Sequence, residues 1–419
     1  MRNHPPDGRQ TGCDLLIIHY SLFIMSRNIA VGIDIGTYQI KVVVAEQIHE
    51  DDKTYPRILG TGFVESKGLR HGYITNISEV SRGLRLALNQ AEKTSGIQIK
   101  RAYVSIGSIG LSGIISNGLV MISRADSEIT ALDTQKSIDV AREEIPPALS
   151  QNRRIIYEIP IKYKVDGKEV MGNHPLGMKS VKLEVRALFI TCLEHHLKDL
   201  VEAVEETGVE VIDIVAAPIA ASFVTLSKTQ RVAGCVLANI GSETVSIVVF
   251  EDNKPVSLEV FPIGSTDITN DIALGLRIPL EEAENIKLGS ITSTNYPKKK
   301  LDQIVSARLS DMFELIDAHL KKIGKNGLLP AGIIITGGGS SLASIEDFAR
   351  SSLKLPSKIA HIIFPEKEKG KIKDAFFAVA LGLCIWGWNE DEDSTGRLIM
   401  GSPVKIFSAV KDWLRPFLP

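Results

Sequence analysis

The chain is short of paired cysteines, metal-ligand spacings, net charge and long apolar runs. Its four cysteines (Cys13, Cys192, Cys235 and Cys384) form no CxxC pair. No zinc or disulfide framework is therefore built in, and the thiols read as reduced and cytosolic. None of the nine histidines falls in an HxxxH or HExxH pattern, so no metal site announces itself. A formal net charge of −2 argues against nucleic acid as a bulk electrostatic partner. The apolar run from Leu15 to Met25 is interrupted by His19, Tyr20 and Ser21 and leads to no small-residue cleavage site. It fits neither a signal peptide nor a membrane span. Residues 1–26 are read as an extension without function, with Met25 as the working start.

What is present is a soluble globular composition, 44% hydrophobic and 23% charged over 419 residues. That length is too great for one ordinary core, so two or more packed units are expected. From Asn28 to Glu46 the alternation predicts a two-stranded hairpin, and "RILGTGFVES" adds a third strand. A helix over 77–95 and the strand "KRAYVSIG" complete a mixed α/β unit. Residues 110–187 change texture: short strands mixed with the helix "ALDTQKSIDVAREEI" read as an α+β insertion. A helix at 194–207 and the strand "VEVIDIVAAP" restore the α/β pattern. Helices are expected over 266–289 and 301–324, then the strand of "AGIIITGGGSSL", then an apolar helix at 373–388.

Two stretches repeat one device. "GIDIGTYQIKVVVAE" (32–46) and "LANIGSETVSIVVFED" (237–252) each place a glycine-bearing turn between two apolar strands. Such a turn points backbone N–H groups outward, and glycine lets the backbone approach a phosphate. Asp34 is placed to hold a hydrated Mg²⁺, and Thr37, Ser242 and Thr244 to bond phosphate oxygens. "ITGGGSS" has the form of a strand running into a helix N-terminus, suited to the nucleotide's ribose and α-phosphate. Two hairpins facing each other would clamp one phosphate chain from two domains.

This pattern resembles the actin, sugar-kinase and Hsp70 superfamily. Within it, the chain from about Arg27 onward is similar to the FtsA family of bacterial cell-division proteins, which also share "LRHGYITNISEV" and "PIGSTDITNDIALGLRIPLEEAENIK". The resemblance implies an α/β, actin-like ATPase fold: two ribonuclease-H-like α/β domains around a nucleotide cleft, with an α+β insertion of the 1C type. It divides the chain into subdomain 1A (27–109 and 188–230), 1C (110–187), 2A (231–267 and 333–388), 2B (268–332), a linker (389–402) and a terminal helix (403–419). It implies ATP and Mg²⁺ as cofactors. Gly36, Thr37, Tyr38 and Gln39 would contact nucleotide from the first turn, and Gly241, Ser242 and Thr244 from the second. Gly264 would lie near the phosphates. Glu284 and Lys287, on one helix face, and Gly337, Gly338, Gly339 and Ser340 would hold the adenosine, while Asp34 would serve the metal. Implied partners are the FtsZ C-terminal tail through subdomain 2B, further copies of the chain, anionic lipids and other division proteins.

The chain departs from the family at several positions. The usual lysine after the first turn falls on Gln39, and the acidic residue that often precedes the central proline falls on Ala217. The second turn, normally close to DxGGGTTD, carries Asn239, Ser242, Glu243 and Ser246. Glu243 puts a negative charge where glycine would meet phosphate. Nucleotide binding with slow or absent hydrolysis is the expectation, and no catalytic residue is assigned.

The C-terminus reads independently of the family. On a helix of about 100° per residue, Ile406, Phe407, Val410, Trp413, Leu414, Phe417 and Leu418 share one face, opposite Lys405, Lys411 and Arg415. About three turns, roughly 18 Å, cannot span hydrocarbon. The helix is expected to lie in the cytoplasmic leaflet. The alternatives are PilM, the actin-like cytoplasmic component of type IV pilus machines, which lacks such a tail, and a sugar or acetate kinase, which needs an acidic pair absent here.

Overall fold

The computed structural model describes residues 27–50, 53–290, 296–342, 344–362 and 374–394. The expected membrane helix (Ile406, Phe407, Val410, Lys411, Trp413, Leu414, Arg415 and Phe417) and the extension at 1–26 lie outside them. In the first half, β1 (Ile29–Ile35), β2 (Gln39–Glu50) and β3 (Lys53–Glu65) form an antiparallel meander. A small hairpin, β4 (Leu69–Arg70) and β5 (Tyr73–Ile74), precedes α1 (Ile77–Ser95) and β6 (Arg101–Ile106), which runs parallel to β1. Helix α1 starts where the Asn76 side chain accepts from the Glu79 amide and stops at Gly96, whose φ of 70° suits glycine. Val80, Leu84, Ala87, Leu88 and Ala91 form its buried stripe.

The insertion follows β6. It contains β7 (Ser112–Met121), α2 (Ala131–Glu143), the single turn α3 (Pro147–Ser150), β8 (Arg153–Val165), β9 (Lys168–Glu169) and β10 (Lys182–Leu193). Its antiparallel sheet has the order β7-β10-β8-β9. The boundary expected at 187 falls inside β10, which continues to Leu193. Helix α4 (Glu194–Glu205), β11 (Glu210–Ala216), α5 (Ala217–Thr225) and α6 (Lys228–Ala233) complete this half, with sheet order β11-β6-β1-β2-β3.

The second half repeats the plan. A meander of β12 (Cys235–Ile240), β13 (Val245–Glu251) and β14 (Lys254–Phe261) is joined by parallel strands β15 (Ile333–Thr336) and β16 (Ser357–Ile359), in the order β14-β13-β12-β15-β16. In both sheets the third, second, first, fourth and fifth principal strands therefore lie side by side. Alternation sorts the strands' side chains: Cys235 and Leu237 join the core shared with the first half, while Val236, Ala238 and Ile240 face the second core. That second core is filled by α7 (Ser265–Leu276), α9 (Lys298–Lys322) and α10 (Ile345–Leu353), with the short α8 (Leu280–Lys287) beside α7.

Three expectations change. The helix expected over 266–289 is broken into α7 and α8, because Arg277 turns left-handed at φ 59° and Pro279 disfavours helix at Ile278. The glycine run does not enter a helix N-terminus: it makes one 3₁₀ turn, Gly338–Ser341, and α10 starts only at Ile345. The last described helix, α11 (Ala378–Ser394), continues through residues 389–394, which read as linker, since no glycine or proline interrupts it there. Although α11 follows β16, it packs in the first half's core. Cys384 Sγ reaches the carbonyls of Ala30 and Val43, and the Trp386 indole N–H donates to Asp213 Oδ2 at 2.9 Å.

Candidate nucleotide site

The two glycine turns are built alike. In the first, the Gly36 amide donates to the Gln39 carbonyl at 3.2 Å; in the second, the Gly241 amide donates to the Thr244 carbonyl at 2.8 Å. A Cβ on either glycine would sit 3.1 Å and 3.0 Å from those same oxygens, tighter than ordinary contact. The amides of Thr37 and Tyr38, and those of Ser242 and Glu243, have no backbone acceptor among the described residues. Each turn thus offers two free donors, the provision an anion requires. Gln39 Oε1 is buried with no hydrogen-bond partner among the described residues.

Each turn is braced from behind. Ser66 donates its hydroxyl to the Gly36 carbonyl at 2.6 Å and its amide to the Tyr38 carbonyl at 2.9 Å. The first residues of α7 do the same for the second turn: the Ser265 and Thr266 amides donate to the Gly241 and Ser242 carbonyls at 2.9 and 2.8 Å. Gly264 is required there, since a Cβ would lie 2.2 Å from the Ser242 carbonyl oxygen. Gly337 and Gly339 pack on the end of β12, against Asn239 and Ile240, whereas a Cβ on Gly338 would meet nothing within 4 Å among the described residues. The glycine run therefore adjoins the second turn and presents Gly338 to open space. Ser340 is buried, and its hydroxyl donates to the Gly337 carbonyl at 2.7 Å, shaping the run from inside.

Asp34 is buried near the end of β1, and each of its carboxylate oxygens has one partner. Its Oδ1 accepts from Ser105 Oγ at 2.8 Å and its Oδ2 from Lys41 Nζ at 3.3 Å. Lys41 stands directly across the ladder from Asp34 and lies over the Phe376 ring, 4.8 Å from its centroid. This cation is not among the site residues expected from the sequence. The period-2 alternation of β2 carries the signal, since it sets Gln39 and Lys41 on one face. Glu284 and Lys287 do meet, at 2.7 Å, and Thr269 joins them: its hydroxyl donates to Glu284 and accepts from Lys287 Nζ at 2.8 Å. Lys287 also reaches the Ser265 carbonyl at 3.2 Å, which attaches the cluster to the start of α7. Glu243, expected to bring a negative charge to the second turn, has its carboxylate engaged by the other half. Its Oε2 accepts from the His71 amide at 2.5 Å, across the two halves.

Among the described residues no group of three or more His, Cys, Asp or Glu side chains is arranged to hold a metal, and no helix is long and apolar enough to cross a membrane. A magnesium ion held mainly by phosphate and water needs only one or two carboxylates, and Asp34 fits that requirement.

Comparison with known proteins places this architecture. A PilM–PilN type IV pilus biogenesis complex shares it with a TM-score of 0.62 at 16% identity, over 85% of this chain and 98% of that one. MreB5 of Spiroplasma citri bound to ADP matches at TM-score 0.50 and 14% identity, over 88% and 99%. Both likenesses speak for the fold alone. In sequence, residues 236–382 match the family described as Cell division protein FtsA, and 110–191 the SHS2 domain inserted in FTSA. Proteins described as Cell division protein FtsA are 30% identical in Bacillus subtilis (351 residues, 79% of this chain and 78% of that one) and 27% identical in Pseudomonas aeruginosa (403 residues, 90% and 94%). The class is therefore the actin-like fold, two ribonuclease-H-like halves with an SHS2 insertion. Within that class the chain belongs to the FtsA family of cell-division proteins.

Proposed function

We propose that the chain binds ATP with Mg²⁺ between its halves, assembles into filaments, and ties FtsZ to the inner face of the cytoplasmic membrane at the division site. The observation that carries the nucleotide part is the matched pair of turns with free amides. Thr37 and Tyr38 would hold phosphate oxygens from one side, and Ser242 and Glu243 from the other. Lys41 supplies the cation that Gln39 lacks, and Asp34 orients the hydrated metal. The Thr269–Glu284–Lys287 cluster and Gly338 would receive the adenosine. Bound magnesium supplies charge neutralisation along the phosphate chain. Asn239 removes a carboxylate that would orient water, so turnover is slow or absent.

The partner reading rests on family membership and on the sequence of 403–419. FtsZ's tail would dock on subdomain 2B, and the terminal helix would lie in the leaflet, with Trp413 at the interface. Many such helices on one filament would bind far more tightly than one. The pilus alternative rests on fold likeness at 16% identity, and no residue of the site favours it. The test is flotation of the full chain with anionic liposomes, with and without ATP and an FtsZ tail peptide. Native protein should float and carry the peptide, while Trp413→Glu should stay in solution and keep its ATP-induced rise in Tm. Flotation of Trp413→Glu would remove the anchor assignment.

A further inference from the structure

We propose that Glu243 is a clasp: by stowing its carboxylate on the His71 amide, it keeps the second turn open for phosphate and ties that turn to the first half. The phosphate role rests on the nucleotide reading above; the tie does not. Residue 243 occupies the tip of the second turn, where the Ser242 and Glu243 amides have no backbone acceptor. A carboxylate at that position would be the natural ligand for those amides and would repel an incoming phosphate chain. Instead the carboxylate is held by the His71 amide, and the backbone carbonyl of Glu243 makes a second bond to the same histidine. Oε2 accepts from the His71 amide at 2.5 Å, and the Glu243 carbonyl pairs with His71 Nδ1 at 3.2 Å.

The receiving end is rigid. His71 and Gly72 form the β4–β5 turn at φ 49° and 78°, and the His71 carbonyl accepts from the Ile109 amide at 3.3 Å. Gly72 lies so close to Ser108 that a Cβ would be 2.6 Å from its Cα. The same segment begins at Ser66, which braces the first turn. One short stretch, 66–72, therefore grips the backbone of the first turn and the side chain of the second. Glu243 is a positioning residue: it sets where its turn stands relative to the other.

The test uses the full chain and two readouts, amide hydrogen exchange without nucleotide and dissociation of a fluorescent ATP analogue. Losing a hydrogen bond to a charged acceptor should speed exchange of the His71 amide in Glu243→Ala by about tenfold or more. Glu243→Gln, which keeps an acceptor oxygen, should restore most of the protection. The analogue should leave Glu243→Ala several-fold faster than native protein, and Glu243→Gln at close to the native rate. Unchanged His71 exchange in Glu243→Ala overturns the clasp, whatever the nucleotide does. Faster exchange with unchanged dissociation keeps the tie and overturns its role at the phosphate turn. If native protein does not bind the analogue, the nucleotide reading fails and the exchange result still decides the tie.

Discussion

Single residues separate what the sequence carries openly from what it carries only in three dimensions. The glycines of both turns were legible because their neighbours alternate so regularly, and Gly36 and Gly241 do occupy equivalent corners. Lys41, Thr269 and His71 were not, because each acts through a partner distant in the chain or across a ladder. The glycines of the site should also answer substitution differently. Gly338 faces open space, so Gly338→Ala should leave the nucleotide-free Tm near native, while Gly338→Asp should abolish the ATP-induced rise in Tm. Gly264→Ala would drive a methyl into the Ser242 carbonyl, 2.2 Å from its Cβ, and should cost about 1–3 kcal/mol even without nucleotide. Equal Tm losses for the two alanine variants, measured side by side, would show that the glycine run is not open as described.

Elements with one buried stripe were readable from period alone: α1 and α4 lie within two residues of the spans expected. Helix α5 was not read, because every residue from Ala217 to Ser222 is buried and a uniformly apolar stretch has no period to detect. It lies against α11, and there the two backbones nearly touch: a Cβ on Gly382 would be 1.8 Å from the Ala220 carbonyl oxygen. Gly382→Ala should therefore separate the helices and lower the free energy of unfolding in urea by about 3 kcal/mol. As a control, Gly289→Ala meets nothing within 4 Å among the described residues but has a φ of 70°, so it tests backbone strain and should cost about 1–2 kcal/mol. A Gly382→Ala protein as stable as native would mean that the helices do not cross as closely as described.

At the scale of the whole molecule, the insertion belongs to the first half by chain order yet leans on the second. A Cβ on Gly113 of β7 would sit 3.0 Å from the Leu258 amide of β14, and Lys254 Nζ donates to the Pro160 carbonyl of β8 at 3.0 Å. Burial pushes the Lys254 ammonium down to about 8 from its usual value of 10.5. The unfolded chain therefore holds more protons between those values, and folded stability gains from this group as pH rises through that window. Native protein should gain Tm relative to Lys254→Met between about pH 8 and 10.5; parallel Tm curves would show that Lys254 is not buried at this seam. The course of the chain has a further consequence, in time. The helix that completes the first half, α11, is the last described segment to be synthesised. A nascent chain that has just delivered β16 has an unfinished first core, with the bed of α11 along Ala30, Gly32 and Val43 uncovered. Folding of the two halves cannot then proceed as separate events on the ribosome, as consecutive domains often do. A chain interrupted before Ala378 carries that bare apolar surface and becomes a substrate for chaperones and proteases.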